Sequence, residues 1–320
     1  MNIRKNRLKI VLGGIAVCMC MACGGSDTKD YWGDTSNGGK EEPTENPNAS
    51  KPRYIWIDAA ANFPDFANSK ENIARDLALA KDAGFTDIVV DVRPTTGDVL
   101  FKTNIVDQVK FMYAWIGSNY TKVERTATWD YLQAFVDEAR KQGLRIHAAI
   151  NTFVGGNQID GGTGLLYRDQ SKAEWATQMN MQTGIVSVMN TSESTKFFNP
   201  AHPEVQTFLC DLLKDLASYD LDGIFLDRGR FLNLQTDFSE ESRKQFEEYM
   251  GGIRIQNYPD DILLPGASSL PATYPKYLTK WLEFRAKVIY DFMQKARTAV
   301  KGVKPGIKFG VYVGGWYSTY

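Results

Sequence analysis

Short runs of β-branched and aliphatic residues alternate with long amphipathic segments from residue 53 onward. Such alternation is typical of βα units, whose strands form a parallel sheet. The amphipathic segments predict helices at residues 69–83, 128–142, 203–219, 239–250 and 277–300. The short runs predict five strands, at residues 53–59, 86–94, 144–153, 221–231 and 307–316.

Within each predicted strand, aliphatic side chains occupy one phase of the alternation, and polar or aromatic side chains occupy the other. In the second strand, for example, Ile88, Val90 and Val92 alternate with Asp91 and Arg93. A sheet covered by helices on both faces would be apolar in both phases. One apolar face, and a second face that becomes polar toward the strand ends, indicate a (β/α)8 barrel with its active site at those ends.

The barrel is incomplete in the printed sequence, because it needs eight strands and the pattern predicts five. We therefore predict an α/β fold of the TIM-barrel class over residues 53–320, with the C-terminal strands missing. The long connections at residues 95–127 and 154–202 follow predicted strands, which places them on the expected active-site face. The alternative is a smaller α/β protein that closes with five or six strands.

The N-terminal segment has the three regions of a secretory signal: basic residues between Arg4 and Lys9, an apolar run, and a small residue before Cys23. The sequence around Cys23 resembles a bacterial lipoprotein cleavage site. We predict a signal peptide over residues 1–22, lipidation of Cys23 and a flexible, polar tether over residues 23–52. The protein would then be anchored by lipid in the bacterial cell envelope, at the outer membrane or cell surface. An ordinary signal peptide or an uncleaved anchor is the alternative.

Composition excludes several classes of function. The chain has 320 residues, of which 37 are Lys or Arg and 38 are Asp or Glu, and its formal net charge is −1. No extended basic surface for nucleic acid is expected from this balance. Outside the N-terminal segment Cys210 is the single cysteine, so that part of the chain has neither an internal disulfide nor a cysteine-based zinc site.

The polar phase of the strands supplies residues suited to binding a sugar. Aromatic rings pack on the C–H faces of sugars, while carboxylate, amide, guanidinium and imidazole groups hydrogen-bond to hydroxyls. The candidates near the predicted strand ends are Trp56, Asp58, Asp91, Arg93, His147, Asn151, Asp227, Arg228, Tyr312 and Trp316.

Hydrolysis of a glycosidic bond requires two carboxyl groups, one protonated and one ionised. Asp227 is the candidate for the ionised group, because it ends a strand and precedes Arg228 and Arg230, whose charges would favour the carboxylate. The alternative is that Asp227 only pairs with those arginines or caps the next element. Asp91 is the second catalytic candidate, although a buried structural pair with Arg93 explains it equally well.

The sequence gives no indication of a metal site or cofactor. It contains 2 histidines, and its carboxylates are scattered. His147 is therefore interpreted as a core or substrate-contacting residue rather than a metal ligand. A Gly-x-Ser-x-Gly motif is also absent from the sequence, which argues against Ser/His/Asp hydrolysis.

Five motifs resemble the glycosyl-hydrolase-like 10 family of bacterial envelope proteins. These are YIWIDA, DIVVDVRPTTGDVLF, LRIHAAIN, FFNPAHPEVQTFL and DGIFLDRGRF, in this order. The resemblance implies a TIM-type barrel, related to alpha-amylase-type barrels, that acts on glycans. It also implies site roles for Arg93, His147, Asn151, Asn199 and Asp227. Many relatives carry Asp-Asp where this chain has Asp227-Arg228, so the second carboxylate of that pair is absent here.

We accordingly predict a lipid-anchored glycoside hydrolase of the cell envelope, acting on a polysaccharide or on peptidoglycan glycan. Two alternatives stay open. The first is a non-catalytic glycan-binding protein on the same scaffold, favoured by the missing second Asp and by the aromatic cluster of Trp316, Tyr317 and Tyr320. The second is a structural envelope protein whose barrel spaces other domains.

Overall fold

The structure is a computed structural model that describes residues 51–313. Its strands are β1 (Tyr54–Ile57), β2 (Asp87–Arg93), β3 (Phe111–Ile116), β4 (Asn119–Glu124), β5 (Arg145–Asn151), β6 (Val154–Asn157), β7 (Gln178–Met181), β8 (Gly184–Ser187), β9 (Thr195–Phe197), β10 (Gly223–Asp227) and β11 (Lys308–Val311). Its α-helices are α1 (Phe63–Phe66), α2 (Lys70–Asp82), α3 (Tyr131–Lys141), α4 (Leu165–Arg168), α5 (Pro203–Ala217), α6 (Glu240–Tyr249) and α7 (Leu278–Val303). Short 3₁₀ turns lie at Ile159–Gly161, Gln170–Trp175 and Val188–Asn190.

Five parallel strands form the main sheet, in the order β1-β2-β5-β10-β11. Each lies within one of the five predicted strands, and the predicted class, an α/β fold of the TIM-barrel type, is confirmed. The sheet is strongly curved. Trp56 on β1 and Tyr312 just after β11 have ring centroids 5.7 Å apart. On a flat sheet, four strand spacings of about 4.8 Å would separate them by roughly 19 Å.

The aliphatic phase of the strands lies on the convex face of this sheet and packs against helices. Ile88, Val90, Ile146 and Ala148 have no exposed surface there, and they belong to one apolar cluster with residues of α2, α3, α5 and α7. The concave face carries the opposite phase. This division is the one that the period-two pattern predicts, and it leaves the concave face free to hold the polar residues.

The helices begin at side chains that accept hydrogen bonds from their first turns. Ser69 accepts from the backbone N–H of the third residue of α2, Asp130 does so for α3, and Ser239 does so for α6. Such caps satisfy backbone donors that the helix itself leaves free. Gly84 and Gly143 follow α2 and α3 with positive φ angles of 85° and 63°, as expected for glycines that end helices.

The long connections carry small antiparallel sheets that strand periodicity did not predict. Between β2 and α3 lies the β3–β4 hairpin. Between β5 and α5 lie two more pairs, β6 with β9 and β7 with β8. All of them are on the side of the sheet where the parallel strands end. The connections after β2 and β5 are therefore built in part of β structure.

A second apolar cluster lies beside the barrel, where the connection after β10 meets α6 and α7. Phe238, Phe246 and Trp281 are its largest fully buried side chains. The predicted signal peptide and nearly all of the predicted tether fall outside the described residues, and their boundaries stay predictions. In the part of the chain from 51 to 313, no helix combines the length and apolarity needed to span a membrane.

Candidate functional site

A cavity of about 350 Å³ opens at the carboxyl end of the parallel strands, on the concave face of the sheet. This is the position at which barrel enzymes carry their active sites. Its walls combine carboxyl and amide groups with aromatic and aliphatic side chains. The lining residues are Trp56, Asp58, Ala60, Asp91, Pro94, Thr95, Met112, Ala149, Ile150, Asn151, Asp227, Arg228 and Tyr312.

Strand register explains why the polar groups meet here. Ile57 pairs with Val90, so the next residues, Asp58 and Asp91, lie level on adjacent strands. One step across the sheet, Asn151 is paired with Asp227 at the ends of β5 and β10. Because paired residues of a parallel sheet point to the same face, these four side chains share one cavity.

Asp91 lies at the bottom of the cavity and is nearly inaccessible, with 7% of its surface exposed. One carboxyl oxygen accepts the backbone N–H of Arg93 at 3.1 Å, and the other lies 3.4 Å from the Asn151 amide nitrogen. Burial raises the pKa of Asp91 to about 7, and the nearby charges of Asp58 and Asp227 act in the same direction. Near neutral pH a large fraction of Asp91 therefore carries a proton.

Asp227 ends β10 at a sharp turn of the backbone. Arg228 has a φ of 46°, in the left-handed region that side chains rarely adopt and that is enriched at functional sites. In this conformation the Arg228 N–H donates to an Asp227 carboxyl oxygen at 2.6 Å. The Arg230 guanidinium donates to the backbone carbonyls of Phe231 and Leu232 instead. Of the predicted alternative, the pairing of Asp227 with the two arginine side chains is not observed, whereas its carboxylate does accept the backbone N–H that follows it.

Aromatic rings form one side of the cavity. Trp56 is 39% exposed, and its ring centroid lies 5.7 Å from that of Tyr312 and 6.1 Å from that of Phe225. Trp56 and Tyr312 line the cavity together with the carboxylates. This combination of ring faces and hydrogen-bonding groups suits a sugar, which has both C–H faces and hydroxyls. The structure thus brings together Trp56, Asp58, Asp91, Asn151, Asp227, Arg228 and Tyr312.

Arg93 has a structural position, contrary to its predicted contact with substrate. The side chain is completely buried and donates to the backbone carbonyls of Asn151, Thr152 and Val154. Burial also lowers the pKa of Arg93 to about 10. Because its guanidinium faces those carbonyls, no structural pair with the Asp91 carboxylate forms. Arg93 instead fixes the chain that follows β5 and, through it, Asn151.

His147 is also outside the cavity, because it belongs to the opposite end of the sheet. It pairs with Gly223, the first residue of β10, and its Nε2 lies 2.8 Å from the Asp87 carboxylate. Burial opposes ionisation of Asp87, but hydrogen bonds from Arg145, Thr86 and His147 lower its pKa to about 2. The interpretation of His147 as a core residue agrees with this position, and the substrate-contacting interpretation does not.

Asn199 is buried away from the cavity as well. Its amide nitrogen donates to the hydroxyls of Ser239 and Ser242, and its oxygen accepts the N–H of Ala201 at 2.8 Å. It therefore joins the segment before α5 to the start of α6. Two further predicted residues, Trp316 and the lipidation site Cys23, lie outside the described residues.

Sequence reasoning missed several cavity residues that lie in connections rather than in strands. Ala60 follows β1, Pro94 and Thr95 follow β2, and Met112 reaches the cavity from the β3–β4 hairpin. Proximity to a strand end was a usable signal for the first three. Met112 gave none, because the hairpin that carries it was not predicted. Between residues 51 and 313 no cluster of His, Cys, Asp and Glu has the composition of a metal site.

The chain is similar to known proteins along most of its length. The model of the glycosyl hydrolase-like 10 family matches residues 51–320. The chain belongs to this family. It is 31% identical to an S-layer-related protein of Niallia circulans over 278 residues, which are 83% of this chain and 17% of that relative. It is 23% identical to the glycosyl hydrolase DigH of Escherichia coli K12, with coverage of 96% of this chain and 66% of DigH. The chain therefore spans less than two thirds of either relative.

Solved structures support the fold assignment. The alpha-L-fucosidase isoenzyme 2 of Paenibacillus thiaminolyticus superposes with a TM-score of 0.52 at 17% identity, covering 82% of this chain and 33% of that one. The catalytic domain of beta-amylase from Paenibacillus polymyxa gives 0.51 at 13% identity, covering 81% of this chain and 65% of that one. At these identities the likeness establishes the barrel fold.

Proposed function

We propose that this protein is a glycoside hydrolase that cleaves a polysaccharide or an envelope glycan, with Asp91 and Asp227 as its catalytic pair. The observation that carries the proposal is that one cavity holds two carboxyl groups, the buried Asp91, whose pKa is raised to about 7, and the separate Asp227. Membership of the glycosyl hydrolase-like family and the name of the relative DigH support the choice of reaction.

In this mechanism Asp91 is the general acid. It gives its proton to the glycosidic oxygen as the bond between that oxygen and the anomeric carbon breaks. A carboxyl group with an ordinary pKa would be ionised at neutral pH and could not perform this step. The charges of Asp58 and Asp227 add to burial in keeping the proton on Asp91.

Asp227 supplies the ionised carboxylate. It either attacks the anomeric carbon directly or removes a proton from the water that does so. Its backbone carbonyl accepts the N–H of Thr152, and a carboxyl oxygen accepts the N–H of Arg228, so both neighbouring segments hold it in place. Trp56 and Tyr312 would stack on the sugar ring, with Asp58, Asn151 and Arg228 bonding to its hydroxyls.

The test is the release of reducing ends from a panel of soluble polysaccharides and from peptidoglycan glycan strands. The wild-type protein is expected to release them, and Asp227→Asn is expected to lower the rate at least about 10³-fold while glycan binding is retained. Asp260→Asn, a substitution at an exposed residue of another loop, is the matched control and should leave the rate unchanged. Equal rates for Asp227→Asn and the wild type would remove Asp227 from the mechanism.

A non-catalytic glycan-binding protein is the second candidate. Asp227-Arg228 in place of two consecutive aspartates favours it, because that sequence removes one carboxylate next to the cavity. This function predicts that the wild-type protein binds a glycan without releasing reducing ends and that Trp56→Ala weakens this binding. Asp227→Asn would then have an effect on affinity alone.

We further propose that Cys23 carries a lipid that anchors the protein in the cell envelope. The basic, apolar and small residues before Cys23 support this location. Expressed with its full N-terminal segment, the wild-type protein should incorporate labelled palmitate and sediment with membranes. Cys23→Ala should do neither, and membrane association of that variant equal to wild type would contradict the proposal.

A further inference from the structure

We propose that the outer face of the β3–β4 hairpin is a second carbohydrate-binding surface, on which the rings of an uncharged pyranose polysaccharide stack. We call this surface the aromatic platform and define it as Phe111, Tyr113, Trp115 and Tyr120. The proposal rests on the proposed function in one respect, namely that the ligand is the same kind of polymer that enters the cavity.

The platform is a continuous row of rings, of which Trp115 and Tyr120 are exposed and Phe111 and Tyr113 are half-buried. Trp115 is 67% exposed and Tyr120 is 55% exposed. Ring centroids lie 5.3 Å apart between Trp115 and Tyr120, and also between Tyr120 and Tyr113, while Tyr113 and Phe111 are 6.2 Å apart. Contiguous apolar surface of this kind usually marks a binding site, because exposure of such rings to water is unfavourable.

The geometry of the hairpin keeps these rings out of the core. Trp115 pairs with Tyr120 and Tyr113 pairs with Lys122, so their side chains share one face of the two-stranded sheet. Met112 and Ala114 point to the other face, where both are buried. The core therefore does not need the platform rings, which leaves their concentration on one face to be explained by a ligand.

The hairpin also connects the platform to the catalytic cavity. Met112, on the same strand as Tyr113, is part of the cavity wall. Met112 and Tyr113 are successive residues of β3, so the cavity wall and the platform lie on the two faces of one hairpin. A polymer leaving the cavity would pass round the edge of this hairpin to reach the platform. This continuity favours a polysaccharide over an unrelated protein partner as the occupant.

The polar groups around the platform favour an uncharged sugar. Lys122 and Asp160 form an ion pair at 2.7 Å, and the Tyr113 hydroxyl donates to Asp160 at 2.9 Å. The Lys122 ammonium also lies 4.0 Å from the centroid of the Phe111 ring. These two charges neutralise each other, and Glu124, which pairs with Phe111 on the same face, adds a negative charge, so the surface has no attraction for an acidic polymer. Ring faces for C–H surfaces and hydroxyl-bonding groups at the margin are what a neutral pyranose requires.

The test is affinity electrophoresis in native gels that contain hydroxyethyl cellulose, galactomannan or glycol chitin. The wild-type protein is expected to be retarded by at least one polymer, and the Trp115→Ala/Tyr120→Ala double variant should show an affinity about tenfold lower. Tyr274→Ala is the matched control, since Tyr274 is 48% exposed on a different loop, and it should be retarded like the wild type. The proposal would be overturned if the double variant were retarded as strongly as the wild type. It would also be overturned if none of the proteins, the wild type included, were retarded by any polymer.

The outcomes separate this proposal from the proposed reaction. If no polysaccharide is cleaved but the double variant still loses retardation, the hydrolase proposal fails and the platform stands. If the double variant cleaves and binds polysaccharides as well as the wild type does, the platform proposal fails and the hydrolase proposal stands. The sedimentation coefficients of the wild-type protein and the double variant are also compared without sugar. A difference between them would identify the aromatic platform as a self-association surface and would overturn the proposal.

Discussion

At the scale of single residues, Asp91 links burial to proton affinity. Its pKa of about 7 in the folded protein compares with an ordinary value of 3.8. A carboxyl group with a raised folded pKa contributes stability that is fully present below the unfolded pKa and is lost as the pH rises through the folded pKa. The free energy of unfolding of the wild-type protein therefore falls as the pH rises across the mildly acidic range, because ionised Asp91 is less favourable in the folded than in the unfolded protein.

Replacing Asp91 with Asn should remove this pH dependence, because the amide does not ionise. Asp91→Asn should gain stability relative to the wild type by about 3 kcal/mol between pH 5 and pH 8. The measurement is urea denaturation of both proteins at several pH values, with Asp260→Asn as control. A difference between Asp91→Asn and wild type that stays constant with pH would show that Asp91 does not titrate in this range. The same substitution should abolish glycan cleavage.

His147 illustrates the opposite case, a polar residue whose position serves the fold. Its hydrogen bond to Asp87 lies at the amino-terminal end of the sheet. His147→Leu should lower the free energy of unfolding by about 1–3 kcal/mol, because a buried carboxylate loses one of its donors. KM for a glycan substrate should stay at the wild-type value, whereas Asn151→Ala, inside the cavity, should raise it. An increase in KM for His147→Leu without loss of stability would contradict this assignment.

At the scale of elements, the connections after β2 and β5 approach each other closely at glycine residues. A Cβ on Gly164 would lie 2.5 Å from the Gly155 carbonyl oxygen, 2.5 Å from the Gly156 Cα and 2.7 Å from the Thr96 carbonyl oxygen. Gly164 also has a φ of 84°, which side-chain-bearing residues rarely adopt. The connection after β2, which lines the cavity, is thus in direct backbone contact with the connection after β5.

Gly164→Ala should therefore separate these connections. We expect a loss of more than about 2 kcal/mol in the free energy of unfolding, from steric overlap and the unfavourable φ. Faster cleavage by trypsin after Arg168 should accompany it, because that segment would no longer be held. Gly161→Ala is the control: it shares a positive φ, but a Cβ there meets no atom within 4 Å. Similar losses for both variants would attribute the effect to φ alone.

The same elements show which features the sequence could predict. The five parallel strands and their helices were predictable, because burial on one face imposes a local period of two or 3.6 residues. The β3–β4 hairpin was not, since β3 is apolar on both faces and its aromatic face is partly exposed, so that polar and apolar residues do not alternate. Asp91 and Asp227 were found through their phase at the strand ends. The structural roles of Arg93 and Asn199 depend on partners distant in sequence, which periodicity does not report.

At the scale of the whole molecule, curvature turns five polar strand ends into one cavity. The contact between the Trp56 and Tyr312 rings across the concave face measures that curvature. The family match covers residues 51–320, so the cavity and the aromatic platform both belong to the part of the chain that its relatives share. Under the two proposals, a long glycan would contact both the cavity at the strand ends and the platform on the β3–β4 hairpin.

The charge balance of the whole chain leads to a final prediction about ionic strength. With 37 basic and 38 acidic residues, recognition of a neutral glycan should depend on stacking and hydrogen bonds rather than on counterion release. Affinity for a retarding polysaccharide should change less than about twofold between 50 and 200 mM NaCl, whereas nucleic-acid binding typically falls by about 10³-fold or more over that range. Affinity electrophoresis at both salt concentrations measures this directly. The same gels loaded with labelled DNA and RNA should show no retardation at 150 mM NaCl, and a shifted nucleic-acid band there would contradict the prediction that the protein has no nucleic-acid partner.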